Sequence, residues 1–133
     1  VIPYARISPS LHLTVVGGEF RPSTESLVGP VSLEELSRFH VSTAFVGTDG
    51  FSMGSGLTAH HVEGAEVVRK MAAQSERCVL VADSTKYGRA GFVHVLPLSS
   101  LSMVVTDGGL ARDKVKEMEE GALEMLGQDN HQN

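Results

Sequence analysis

The fold of this chain follows from one stretch, Cys78-Val79-Leu80-Val81-Ala82-Asp83-Ser84-Thr85-Lys86-Tyr87-Gly88. An apolar run of strand length ends at an acid, and a polar loop follows, which predicts a buried strand and the loop at its carboxyl end. In open α/β sheets ligands bind at such loops. A lysine there suits a phosphate or a carboxylate. The alternative on this stretch alone is a surface loop in which Lys86 is solvated.

The composition is that of one globular domain without a nucleic-acid-binding surface. The chain has 133 residues, is 41% hydrophobic and 20% charged, and carries a net charge of −5 with its histidines neutral. Its lysines and arginines form no cluster, whereas DNA binding needs a concentrated positive patch. The single cysteine, Cys78, excludes an internal disulfide, so we expect a reducing, cytoplasmic location. No apolar run is long enough to cross a membrane, and no motif predicts a cofactor.

Strand and helix patterns alternate along the chain, which predicts an α/β fold with a mainly parallel sheet flanked by helices. Besides the strand Cys78–Ala82, β-favouring runs predict strands over Leu11–Val16, Ser42–Val46, Phe92–Leu96 and Leu101–Val105. Apolar residues at helical spacing predict helices over Val62–Gln74 and Ala111–Leu126. The S-x-x-E capping box predicts a further short helix that begins at Ser32, with Glu35 as its acid.

Polar loops follow several of these predicted strands. They are Gly17–Arg21, Thr48–Thr58, Asp83–Lys86 and Thr106-Asp107. Because parallel strands place their carboxyl ends at one edge, we expect the loops to converge on one crevice, where Arg21 and Lys86 could reach an anion. A loop as long as Thr48–Thr58 is usually functional in a compact domain. Plain turns are the alternative for the paired glycines.

Other patterns carry weaker chemical signals. Gly50-Phe51-Ser52-Met53-Gly54 fits the G-x-S-x-G nucleophile elbow, but extra residues separate it from the strand before and the helix after. The pair His60-His61 does not predict a metal site, because adjacent residues on a helix point about 100° apart. Asp49, Asp83 and Lys86 could form an acid/base group for sugar isomerisation, or they could simply hold a sugar phosphate. The residue types do not separate these two roles.

At Val81-Ala82-Asp83-Ser84-Thr85-Lys86-Tyr87-Gly88 the chain resembles the effector-sensing domain of DeoR-type bacterial transcription regulators. The similarity covers about Leu11 to Leu110 and extends, in the order expected for that family, to Val15–Arg21, Ser26–Pro30, Ala44–Gly50 with Gly56–Thr58, and Leu98–Asp107. The resemblance implies a fold like that of sugar-phosphate isomerases and CoA transferases, but without their enzymatic activity.

The resemblance also implies a function and a site. The domain would bind a phosphorylated sugar or a related metabolite in a homo-oligomeric repressor of sugar metabolism. A separate N-terminal winged helix-turn-helix would bind the operator DNA. By position, the effector-binding residues would be Gly18, Glu19, Arg21, Asp49, Gly50, Thr58, Asp83 and Lys86. Lys86 would be the anion contact.

The resemblance further implies that residues 1–133 are a single effector-sensing domain truncated at its N terminus. The family places a Gly/Ser/Thr-rich phosphate loop after the first strand of the domain, and that loop and the winged helix would precede Val1. We therefore expect no DNA binding by this chain itself. The runner-up hypothesis is a sugar-phosphate isomerase on the same fold, and the third is an interaction domain without a ligand.

Overall fold

A four-stranded parallel sheet is the centre of the fold, as the computed structural model of the chain shows for residues 2–120 and 124–128. Its order is β3-β6-β8-β9, and its strands are β3 (Val41–Val46), β6 (Ser75–Val81), β8 (Met103–Asp107) and β9 (Glu124–Gln128). Helix α3 (Val62–Ala73) belongs to the connection between β3 and β6 and packs on both strands. The predicted α/β class with a parallel sheet and flanking helices is confirmed.

The hydrophobic core lies on one face of this sheet. In β6, Cys78 and Leu80 face the core, where they join Val104 of β8. Ala65 of α3 and Met118 of α4 (Arg112–Glu120) are fully buried against them. The 3.6-residue spacing of apolar positions therefore produced α3 where the sequence predicts it, because that spacing gives the helix one apolar stripe to bury.

A second, three-stranded antiparallel sheet corrects the prediction of a long loop. Residues 50–59 form a hairpin of β4 (Gly50–Ser52) and β5 (Gly56–Ala59), and β7 (Val93–Leu96) pairs with β5 at the edge. Phe51 and Leu57 of the hairpin are completely buried, so packing overrides the glycine-rich composition. The G-x-S-x-G pattern is therefore a strand and a turn, in which the Ser52 hydroxyl accepts a hydrogen bond from the backbone of Ser55 at 3.0 Å.

The predicted strand Leu11–Val16 is wrong. Helix α1 (Ile2–Ile7) is followed by a segment without regular structure up to Gly18, and only then by the hairpin of β1 (Glu19–Arg21) and β2 (Ser26–Val28). None of the described strands pairs with Leu11–Val16. An alternating pattern makes a strand only when a neighbour completes its hydrogen-bond ladder.

The predicted capping box is also wrong, because its two side chains bind elsewhere. Helix α2 (Pro30–Leu36) begins at a proline, which suits the first helical turn, and its N-cap residue makes no side-chain cap. Ser32 instead donates to the carbonyl of Gly17 at 2.6 Å, and Glu35 accepts from the backbone N–H of Gly17 at 2.7 Å. The helix thus fixes the glycine pair that leads into β1.

The predicted C-terminal helix is too long. Helix α4 ends at Glu120, the residues 121–123 lie outside the described part of the chain, and Glu124–Gln128 is the parallel strand β9 paired with β8. Met125 packs on the core side of β9. Within the described residues, no helix has the length and the apolar character that crossing a bilayer requires.

Candidate functional site

A cavity of about 350 Å³ lies where the β1–β2 hairpin, the end of β3 and the start of α3 meet. Gly47, Thr48 and Asp49 line it from the carboxyl end of β3, and His61, the N-cap residue of α3, also lines it. Its volume falls within the range of about 300–1,000 Å³ that is usual for small-molecule sites. The cavity therefore has the position and the size of a ligand site in an α/β sheet.

Arg21 supplies a hydrogen-bond donor to this cavity. Its guanidinium Nη2 pairs with the carboxylate of Glu63 in the first turn of α3, so one ion pair joins the hairpin to the helix. The Nε atom of Arg21 is buried and has no hydrogen-bond partner among the described residues. A buried N–H without a partner is unfavourable, so a movement of the Arg21 side chain that gives Nε an acceptor would be favourable.

The loop after β3 holds its polar groups in place by hydrogen bonds to the neighbouring hairpin. The Thr48 hydroxyl lies 2.7 Å from the carbonyl of Gly50 and 2.9 Å from that of Thr58. Asp49 accepts a hydrogen bond from the backbone of His60 at 2.8 Å through Oδ2. The carboxylate of Asp49 is therefore fixed at the cavity wall, where it can accept hydrogen bonds from ligand hydroxyls.

The rest of the cavity wall is divided between hydroxyl groups and apolar side chains. Three residues with hydroxyl groups line it, Ser23 and Thr24 in the turn of the hairpin and Ser26 at the start of β2. The apolar part comes from Leu27, Val28, Val67, Val68 and Val95. Hydroxyls and two carboxylates, those of Asp49 and Glu63, beside an apolar surface match a polyol, which offers hydroxyl groups around a face of C–H bonds. Arg21 adds the one type of side chain here that prefers an anion.

Gly18, Gly50 and Thr58, three of the predicted site residues, pack against backbone or helix and do not line the cavity. Gly18 has a φ of +150°, and a Cβ there would overlap the hydroxyl of Ser32. Thr58 is 1% exposed, and its hydroxyl accepts a hydrogen bond from Gly91 at 2.7 Å. These contacts give the three residues a role in building the hairpins around the cavity.

The Asp83–Lys86 loop lies at a different depression of the surface. Asp83 and Asp107 line an open depression of about 390 Å³ at the carboxyl ends of β6, β8 and β9. Asp83 caps the 3-10 turn Ser84–Lys86, accepting hydrogen bonds from Thr85, and Asp107 accepts from Ser84 at 3.1 Å and from Gly109 at 2.8 Å. Lys86 lines neither this depression nor the cavity at Arg21.

Both acids are stabilised in their ionised form. The hydrogen bond from the Thr85 hydroxyl, followed by smaller contributions that include the charge of Lys86, lowers the pKa of Asp83. Hydrogen bonds from Ser84, the larger effect, and from Gly109 lower the pKa of Asp107. Both groups are therefore charged at neutral pH, and they serve first to shape the loops that contain them.

The lowered pKa values predict a pH-dependent stability. A carboxylate whose pKa is lower in the folded than in the unfolded chain stabilises the fold above about pH 4, and this stabilisation is lost as the pH falls through the folded-state pKa. We expect Asp107→Asn to be less stable than the wild-type chain at neutral pH, and the difference to shrink on acidification below about pH 4. Urea unfolding at a series of pH values measures this difference in the free energy of unfolding. A stability difference that does not change with pH would contradict the lowered pKa of Asp107.

The structure brings together only part of the predicted site. Arg21 and Asp49 line the same cavity, Asp83 lies at the other depression, and the remaining predicted residues (Gly18, Glu19, Gly50, Thr58 and Lys86) line neither. A ligand-binding role for each of the eight stays a prediction. Thr48 belongs to a loop that the sequence singles out, whereas His61 and Glu63 carry no sequence signal beyond the start of a helix.

Comparison with known proteins identifies the family. Residues 1–108 match the DeoR C terminal sensor domain. Similar proteins include the HTH-type transcriptional regulator GlpR of Haloferax volcanii, which is 32% identical over 84% of this chain and 44% of its own length. The HTH-type transcriptional repressor GlcR of Bacillus subtilis is 31% identical over 73% of this chain and 37% of its own length.

A third relative, the HTH-type transcriptional regulator IolR of Bacillus subtilis, is 24% identical over 80% of this chain and 42% of its own length. The chain thus spans less than half the length of each of these curated relatives. The match to the sensor domain covers most of the chain, in the region that contains the cavity. The chain belongs to the DeoR family of transcriptional regulators, since residues 1–108 match the sensor domain of that family.

Proposed function

We propose that this domain binds a phosphorylated sugar or a related metabolite in the cavity at Arg21, and that binding regulates a cytoplasmic repressor of sugar metabolism. The observation that carries the proposal is the buried Nε of Arg21, which has no partner among the described residues and belongs to a cavity edged with hydroxyls. The sugar hydroxyls would bind to Asp49 and the hairpin turn, and the phosphate to the guanidinium.

An incoming phosphate would take the place of Glu63 on Arg21. The side chains of the two residues are 43% and 39% exposed, and an ion pair this accessible to water contributes at most about 1 kcal/mol. A charge-assisted hydrogen bond to a phosphate contributes about 1.5–3 kcal/mol, and a guanidinium can form two of them. The exchange of carboxylate for phosphate is therefore favourable, and the buried Nε gains its acceptor in the same step.

This exchange supplies a signal. Arg21 lies in the β1–β2 hairpin and Glu63 in α3, so displacing Glu63 breaks the ion pair between these two elements. The hairpin and the helix then change their preferred arrangement. A coupling free energy of about 1–3 kcal/mol between two sites is typical of allosteric proteins. The operator DNA would be bound by a separate N-terminal domain of the whole protein.

Catalysis by an isomerase-like enzyme is the weaker alternative. An acid/base mechanism requires its carboxylates around one reacting carbon. Asp49 lies in the cavity at Arg21, and Asp83 lies in the depression between β6, β8 and β9. The separation of the two carboxylates favours binding without turnover, in agreement with relatives that are transcriptional regulators.

Thermal melting with a panel of sugar phosphates and their parent sugars tests this proposal. A ligand that binds only the folded chain raises the melting temperature. We expect one phosphosugar to raise it more than its parent sugar does, and Glu63→Gln to tighten phosphosugar binding by up to about fivefold, because the competing ion pair is worth at most about 1 kcal/mol. Equal shifts with phosphosugar and parent sugar, or weaker phosphosugar binding by Glu63→Gln, would contradict the exchange at Arg21.

A further inference from the structure

The charged groups around the cavity at Arg21 do not balance. Of the described residues that line this cavity, Arg21 alone has a permanent positive charge, whereas Asp49 and Glu63 each contribute a carboxylate. The guanidinium of Arg21 is paired with Glu63, so it does not compensate Asp49 as well. With His61 neutral, the cavity wall therefore has one more negative than positive group, independently of any ligand.

Asp49 is the carboxylate without a cation. Its Oδ2 atom accepts a hydrogen bond from the backbone N–H of His60 at 2.8 Å, whereas Oδ1 accepts none from the described residues, and Asp49 forms no ion pair with any of them. The neighbouring hydroxyl of Thr48 has a single proton to donate, and it lies within hydrogen-bond distance of two carbonyls of the hairpin. Asp49 is thus held in place with one oxygen and its charge left for a ligand.

A bound phosphate increases this imbalance, if the proposed function is correct. A phosphate monoester has a charge of about −1.5 to −2 at neutral pH, and on binding Arg21 it displaces Glu63, whose carboxylate remains at the cavity wall. Three negative groups then surround one guanidinium. Charges repel one another more strongly beside a protein surface than in bulk water. A sugar phosphate whose other groups are all neutral leaves this repulsion uncompensated.

We propose that the effector is a phosphorylated amino sugar, whose ammonium group binds Asp49 while its phosphate binds Arg21. The ammonium takes the place of one sugar hydroxyl at Asp49. An ammonium has three donors and no acceptor, so it suits a carboxylate oxygen that receives no hydrogen bond from the protein. Hydrogen bonds between two charged groups are also roughly twice as strong as neutral ones. Asp49 and Arg21 line the same cavity, so one ligand of sugar size can contact both.

Isothermal titration calorimetry with matched pairs of ligands tests the proposal. The ligands are glucose, mannose and galactose phosphorylated at the terminal carbon, each paired with the counterpart that has an amino group in place of the hydroxyl at the second carbon. The two members of a pair differ in that one group. We expect the tightest ligand of the panel to be an amino form, with an affinity about tenfold or more above that of its hydroxyl counterpart, because it adds a charge-assisted hydrogen bond.

Asp49→Asn tests the residue that would distinguish the two forms. Asparagine keeps the shape of the side chain and an oxygen that can accept from His60, but it removes the negative charge. We expect the affinity for the amino form to fall about tenfold and that for the hydroxyl form to stay the same or rise, so the preference is lost. Asp83→Asn is the matched control, because it removes one negative charge at the other depression. Circular dichroism shows whether each variant is folded.

The outcomes separate this proposal from the proposed function. If no phosphosugar of either form binds, both are overturned. If phosphosugars bind but the amino form has no advantage, or if Asp49→Asn keeps the preference, the amino sugar is overturned and phosphosugar binding stands. Titration in buffers of different ionisation enthalpy measures proton uptake. A hydroxyl form that binds as tightly as the amino form and takes up a proton would assign the compensating charge to His61, and this would also overturn the amino sugar.

Discussion

Replacing Arg21 by methionine is expected to weaken the binding of a phosphosugar by about 10- to 100-fold, since a charge-assisted hydrogen bond contributes about 1.5–3 kcal/mol. Methionine keeps most of the apolar length of arginine and removes all its donors, including the buried Nε that has no partner among the described residues. The same change leaves Glu63 in the cavity without its cation, which adds repulsion against a phosphate. The parent sugar is expected to lose much less affinity. Isothermal titration calorimetry measures both constants.

Two further methionine variants make this result specific. Arg38 forms an exposed ion pair with Glu34 in the α2 region, away from the cavity, so Arg38→Met controls for the loss of one positive charge. Lys86→Met tests the anion contact that the family resemblance implies. An Arg21→Met chain with wild-type affinity, together with a strong loss in Lys86→Met, would move the phosphate site to the Asp83–Lys86 loop.

Alanine at position 50 is expected to destabilise the fold by about 3 kcal/mol, at the upper end of the usual cost of overpacking. A Cβ on Gly50 would overlap the carbonyl oxygen of Arg89 and would lie 2.7 Å from its carbonyl carbon. Backbone atoms cannot rotate away as a flexible side chain does. The β4–β5 hairpin would have to move away from the segment before β7, and with it the buried Phe51.

Gly54→Ala is the matched control for this second prediction, because a Cβ at position 54 would meet no atom within 4 Å. Thermal unfolding should show a fall in melting temperature of about 10 °C for Gly50→Ala and almost none for Gly54→Ala. Equal melting temperatures for the two variants would mean that the hairpin does not pack as closely as the structure shows.

The central strands could be predicted because their signal is local. The run Cys78–Val81 is apolar, ends at an acid and lies in the middle of the sheet, so burial alone selects a strand. Strand β9 could not be predicted in this way. Met125 and Leu126 continue the helical spacing of α4, so the local pattern predicts a helix there. The segment is a strand because it pairs with β8.

The errors at the N-terminal side have a similar cause. Leu11–Val16 has the alternation of a strand. A strand also needs a neighbouring strand to pair with, and the local sequence pattern does not show whether one is present. Ser32 and Glu35 have the spacing of a capping box, yet both side chains bind Gly17, which lies 15 and 18 residues away in the chain. The competing partner exists only in the folded molecule.

The candidate site was predictable as an edge of the sheet but not as a cavity. Asp49 follows from the rule that polar loops meet at the carboxyl ends of parallel strands. Arg21 reaches the same cavity from an antiparallel hairpin, because the strand predicted before it does not form. That edge is wide, since β3 and β8 lie on either side of β6 and neighbouring strands are about 4.8 Å apart. The loops after β3 and after β6 therefore open on different cavities. Glu63 pairs with Arg21 across 42 residues of sequence, and no local pattern indicates that contact.

The most direct test of the account is the NMR signal of the Nε–H group of Arg21, followed as the phosphosugar selected by thermal melting is added. In the free chain this N–H is buried and without an acceptor among the described residues. We expect a saturable downfield shift of its proton and slower exchange with water, because the N–H gains a charged acceptor. An unchanged Arg21 signal, with shifts confined to Asp83, Thr85 and Lys86, would contradict it and place the effector at the other depression.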